Sequence, residues 1–134
     1  MATTAFRATT VKHYEEDEVK VLALGDDPAA PERFLIIARL DEDEHATVDD
    51  GIGLQTSESD YEAAHAISAV KLVGNRLQVQ VKEAFVVHFG ASAIEADIAG
   101  DAETVATHLA VIRRALEVIF EGSAVLPSVD RARV

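Results

Sequence analysis

The chain has 134 residues, 49 % of them apolar, no cysteine, and a formal charge of −12 from 24 acids against 12 bases. Those figures describe one globular domain that can bury a core without staples, and they exclude disulfides, thiolate metal sites and a cysteine nucleophile. A surface this acidic repels phosphate backbones and anionic lipid, which argues against nucleic-acid and membrane partners.

The amino terminus lacks the apolar core of a secretory signal. No apolar run approaches the ~20 residues that span a bilayer, so a cytoplasmic location is expected.

In chain order, Ala5 to Val11 reads as a first strand, rich in β-branched residues. Glu15-Glu16-Asp17-Glu18 makes an acidic turn, and Val19 to Leu24 a second strand that ends at Gly25-Asp26-Asp27-Pro28. Phe34 to Leu40 is almost continuously apolar, which predicts a strand in the middle of a sheet. A second acidic connection, Asp41-Glu42-Asp43-Glu44, leads through Asp49-Asp50-Gly51 to a weak strand at Ile52 to Ser57. His65 to Val73 and Arg76 to Val81 flank Gly74-Asn75, the chemistry of a tight hairpin turn. The expected register sets Val73 opposite Arg76, Leu72 opposite Leu77 and Val70 opposite Val79.

Lys82 to Phe89 is predicted as a short helical turn, because Gly90 follows as a C-cap. Ala93 to Ile98 alternates as a last strand. Asp101 is a strong N-cap, and Val105, Leu109, Ile112, Leu116 and Ile119 recur at spacings of four and three. A helix over Ala102 to Glu121 would be roughly 30 Å long, at about 1.5 Å per residue. The expected fold is α+β: one antiparallel sheet of about six to seven strands with the long C-terminal helix packed on one face. The other face is left partly open. The chain is one domain, 1–134, with an ordered core over about 5–121 and a flexible tail at 122–134.

Motifs that carry chemistry are missing. There is no Gly-rich phosphate loop, no Gly-x-Ser-x-Gly elbow and no His-Glu-x-x-His. His13, His45, His65, His88 and His108 have no metal-motif spacing, and the acidic runs lack the ligand pattern of a calcium loop. Paired acids without tryptophan offer no sugar platform. The sequence therefore predicts neither an enzyme nor a cofactor or metal protein.

Charge is what distinguishes the chain. Residues 13–62 hold sixteen acids and three bases, a net of −13, while the remainder holds eight acids and nine bases, a net of +1. Such asymmetry points to an interaction surface for a basic protein. The residues it nominates are Asp41, Glu42, Asp43, Glu44, Asp49, Asp50, Asp60, Tyr61 and Glu62, with Glu15 to Glu18 as a second group. Tyr61 sits between two carboxylates, and tyrosine is a frequent interface anchor.

The layout also resembles a known family. A strand near Phe6-Arg7-Ala8, the segment Val19 to Gly25 and the strand Phe34 to Leu40 precede an acidic stretch with Asp50-Gly51. Tyr61 then leads into Ile67-Ser68-Ala69-Val70-Lys71-Leu72, followed by Leu77 to Val81, Ala84 to Gly90, Ile94 to Ile98 and a helix ending Leu116-Glu117-Val118-Ile119-Phe120. This order, over about residues 5–121, resembles the immunity protein 10 family of bacterial polymorphic-toxin systems. The chain departs from the family at Ala63-Ala64-His65-Ala66, where glycine is expected. The resemblance implies an inhibitor that neutralises a cognate toxin by direct binding. Acids suit that role against a nuclease, whose phosphate-binding cleft is positive. The alternative is a non-enzymatic scaffolding domain that forms a homodimer through the open sheet face.

Overall fold

The computed structural model describes residues 3–41, 47–59 and 61–129. In chain order these form β1 (Thr3–Ala8), β2 (Thr10–Glu16), β3 (Val19–Gly25), β4 (Phe34–Leu40), a 3-10 turn (Val48–Gly51), β5 (Ile52–Thr56), β6 (Ala63–Ala64), β7 (Ile67–Val73) and β8 (Arg76–Val81). A second 3-10 turn (Glu83–Phe85) runs into α1 (Val86–Phe89), followed by β9 (Ala93–Ile98), α2 (Ala102–Ile119) and β10 (Ser128–Val129).

The α+β class holds, but the single sheet does not. The strands form two five-stranded sheets, ordered β1-β9-β8-β7-β10 and β2-β3-β4-β5-β6. The second is antiparallel throughout, whereas β1 joins β9 and β10 joins β7 in parallel. The division begins at Thr9. Ala5 to Val11, expected as one strand, is two, and the inward-facing set shifts from Phe6 and Ala8 to Val11 and His13. One residue outside the ladder reverses the alternation and carries the chain from one sheet to the other. The corner is held on both sides: Ala99 N donates to Ala8 O, and Thr9 N to Gly25 O.

One core serves both sheets. Leu22, Leu24, Leu35, Ile37 and Leu54 of the second sheet join Val70, Leu72, Leu77, Val79 and Ile94 of the first in a single buried cluster. β4 is the middle strand of its sheet, as its apolarity predicts. The β7–β8 register is the expected one, with Val73, Leu72 and Val70 opposite Arg76, Leu77 and Val79. Gly74 alone of the turn pair has positive φ (60°), the pattern of a type II′ turn. Asn75 turns its side chain to the Ile98 carbonyl, 3.0 Å away, and ties the hairpin to β9. The expected helical turn is present, and Gly90 ends it in the left-handed conformation.

α2 begins where its N-cap predicts: the Asp101 carboxylate accepts from Thr104 N at 2.8 Å. It packs on β2 and β3 and reaches β9, burying Ile112, Ala115, Leu116 and Ile119. It stops two residues before the expected Glu121. Arg39 accounts for the stop. Its side chain points inward from β4, and Nη1 donates to the carbonyls of Val118 (3.3 Å), Ile119 (3.0 Å) and Glu121 (2.7 Å). A guanidinium satisfies carbonyls that lack helical partners and meets the negative end of the helix dipole. Beyond it, Ser123 is buried, and Ser128–Val129, in the stretch expected to fray, pairs with Lys71–Leu72.

Two stability predictions follow from these contacts. Arg39 is only 9 % exposed, so Arg39→Met should cost about 3 kcal/mol in urea unfolding by stranding its partners. A loss below about 1 kcal/mol would contradict the capping role. In the β2–β3 turn both central residues, Asp17 (φ 53°) and Glu18 (φ 68°), adopt the left-handed conformation. Glu18→Gly should therefore stabilise by roughly 0.5–1 kcal/mol, relief of strain outweighing the added freedom of the unfolded chain.

Candidate functional site

The two sheets present opposite chemistry to the outside. Directly opposed residues of neighbouring strands share a face, so register alone assigns each side. On the first sheet the outer face carries Lys71, Arg76, Gln78, Glu95 and Asp97. Four of these are paired: Arg76 Nε lies 2.7 Å from Asp97 Oδ1, and Gln78 donates to Glu95 at 2.7 Å. On the second sheet the outer face carries Tyr14, Val21, Ala38 and Gly53 in one row, and Lys12, Ala23, Ile36 and Gln55 in the next. Phe34 and Gly25 lie beside them at the end of the sheet. α2 and the first sheet cover the inner side only. An apolar outer face on which, among the described residues, no helix or second sheet packs is the informative feature of this surface.

Part of that face is concave. A groove of about 550 Å³ runs over β2, β3 and β4, with Ala23, Phe34 and Ile36 in its floor, and Thr10, Lys12 and Tyr14 along one wall. The opposite wall is the connection after β3, where Pro28 and Pro31 line the groove. That connection is braced by its own acids. Asp26 Oδ1 accepts from Glu32 N (3.0 Å) and Arg33 N (3.3 Å), and Asp27 Oδ1 accepts from Ala29 N (2.8 Å) and Ala30 N (3.0 Å). The amides of Ala30 and Ala29 hold the Asp27 carboxyl below its ordinary range, against a small opposing effect of burial. Gly25 lets the wall close in, since a Cβ there would stand 3.1 Å from Pro31.

The nominated acids divide into several groups. Glu42, Asp43, Glu44 and Asp60 lie outside the described residues. Asp41 accepts from Arg39 Nε at 2.9 Å and lies 3.9 Å from Lys20 Nζ. Asp49 bonds the Ser123 hydroxyl and accepts from Ala124 N at 3.1 Å. Asp50 accepts from Thr47 N at 3.1 Å and meets His65 Nδ1 at 3.2 Å. His65 has φ 61°, a left-handed conformation that glycine adopts without steric cost. These three carboxylates thus have structural partners.

By contrast, Glu15 to Glu18 are exposed on β2 and the turn after it. Antiparallel register brings that turn, Leu40 and Ile52 to one end of the second sheet, so Glu15 to Glu18, Asp41, Asp49 and Asp50 form an acidic end there. Tyr61 and Glu62 are elsewhere. Tyr61 is 65 % exposed with its ring 4.4 Å from that of His88, whose Nε2 donates to the Tyr61 carbonyl at 2.8 Å. Glu62 lies across Gly53 on the outer face, where a Cβ would fall 2.5 Å from its carboxyl carbon.

Sequence reasoning missed Tyr14, Ala23, Phe34 and Ile36. The signal was the continuous apolarity of Phe34 to Leu40, read only as a central position. In an antiparallel sheet it also requires cover on both faces. Among the described residues no group of three or more His, Asp or Glu side chains is placed to hold a metal ion, and no helix is long and apolar enough to cross a membrane.

The Asp49 link gives a pH prediction. Burial pushes its carboxyl up, but the Ser123 hydroxyl, the Ala124 amide and the fields of His65 and Lys82 outweigh it, leaving the group below its ordinary value. A lowered carboxyl contributes stability that is complete above the unfolded value of about 3.9 and is lost as pH falls through the folded one. The urea midpoint of the native protein should exceed that of Asp49→Asn at pH 7, and the gap should narrow below about pH 4. A gap independent of pH would remove the linkage.

No family model matches the chain, and no curated protein matches it.

Proposed function

We propose that the protein is a binding module for a basic partner protein, acting as an immunity-type inhibitor that neutralises a cognate toxin. The observation that carries this reading is the dry outer face of the second sheet lying beside an acidic end. An apolar centre with tyrosine and phenylalanine, edged by charge, has the make-up of a protein interface. The acids Glu15 to Glu18 supply long-range attraction for a positive partner, and the groove supplies area to bury once contact is made. On this reading the protein acts in the cytoplasm of the cell that makes the toxin.

The open apolar face also supports the homodimer reading. Charge opposes it, since each copy carries −12 and like fields raise the cost of association. Light scattering across concentration separates the two readings: a dimer through this face would favour the scaffold.

The direct test starts from the neighbouring reading frame: a basic, toxin-like C-terminal domain encoded there is expected, and surface plasmon resonance against that domain measures binding. Reversal of Glu15, Glu16 and Glu18 to lysine should slow association about tenfold or more at low salt and flatten its salt dependence. Asp41 is the wrong residue for this experiment, because its loss would unbalance Arg39. No binding by the native protein, or an unchanged association rate in the triple variant, would defeat the proposal.

A further inference from the structure

We infer that β2 is the edge on which the partner docks, taking up an extended basic segment of that partner as a sixth strand of the second sheet; this rests on the binding reading above. The second sheet ends in β2 on one side and in the two-residue β6 on the other. β2 is seven residues long and pairs with β3 only. Alternate backbone N–H and C=O groups of such a strand point away from its neighbour and form a template for another chain. The first sheet has a comparable edge in β1, but there Arg33 Nη1 donates to the Ala5 carbonyl at 2.9 Å. Among the described residues no side chain bonds the outward backbone groups of β2, and α2 packs on this strand from the inner side.

The groove lies where strand addition would use it. Thr10, Lys12 and Tyr14, which form one groove wall, are the outer-face residues of β2 itself. A strand added about 4.8 Å beyond β2 presents every second side chain on that same face. Backbone pairing then supplies affinity, and the groove selects the side chains. Charge decides the occupant. β2 ends in Glu15-Glu16 and turns through Asp17-Glu18, so the segment that fits alternates apolar residues with lysine or arginine. A second copy of this chain carries the same charge of −12 and would approach against that field.

The test uses the full-length protein and a nine-residue peptide alternating lysine with valine or threonine. Two analogues are N-methylated, one at its odd and one at its even residues, and a fourth peptide carries glutamate for lysine. Isothermal titration gives affinity, and amide hydrogen exchange by NMR gives protection in Thr10 to Glu16. The expected result is binding of the lysine peptide, at least tenfold slower exchange at alternate β2 amides, at least tenfold weaker binding of one methylated analogue only, and no binding of the glutamate peptide. Equal affinity of both methylated analogues with the parent, or shifts at Phe34 and Ile36 without β2 protection, would overturn strand addition while leaving the face as a docking surface. Absence of peptide binding would also overturn it. Whether the wider binding reading fails is settled separately by the toxin-domain measurement.

Discussion

A single guanidinium sets the geometry of the interior. Arg39 leaves the inner face of β4 and gathers the last carbonyls of α2, while Asp41 holds its other edge. Burying a charge is tolerable only when its donors are used, and here helix end and carboxylate use them together. The contact fixes α2 on the inner side of the second sheet and fixes where it ends. From that end follow the turn at Gly122, the Ser123–Asp49 link and the approach of β10 to β7. With helix, first sheet and C-terminal segment all on one side, the outer face of the second sheet has no helix or sheet over it among the described residues.

The same contact changes the meaning of the acidic stretch. A run of carboxylates in sequence suggests one surface with one purpose. In the fold, Asp41 neutralises a buried cation, Asp49 anchors the C-terminal segment, and Asp50 closes its own turn. The three cations of residues 13–62 are equally committed: Lys20 and Arg39 to Asp41, and Arg33 to the Ala5 carbonyl. Among the described residues, the acids that remain without a structural partner at that end are those of the β2–β3 turn and the strand end before it. Glu15 to Glu18 are thus the described acids left exposed and unpartnered there, while Asp41, Asp49 and Asp50 serve the fold.

Much of the local structure was legible because it is encoded locally. Gly74-Asn75 dictates a hairpin and its register, Asp101 a helix start, and Gly90 a helix end. The unbroken apolarity of Phe34 to Leu40 marks a middle strand. The division into two sheets was not legible, because alternation tells which face of a strand is dry and never which strand lies beside it. Thr9 carries no glycine or proline to advertise a corner. Arg39 looks like a charged interruption in an apolar run, since its partners lie some eighty residues away. The groove escaped notice for a related reason: its floor is drawn from β3 and β4 and its walls from β2 and a proline-containing connection, pieces that only the fold assembles.

The polar ladder on the outside of the first sheet has a consequence for valence. Arg76, Asp97, Gln78 and Glu95 satisfy one another and keep that side wet. A molecule with two adhesive sides can bridge neighbours and propagate into chains. Among the described residues the sheet face that is broadly apolar on its outside is the one of the second sheet, so an assembly built on that face alone would stop at one partner per copy.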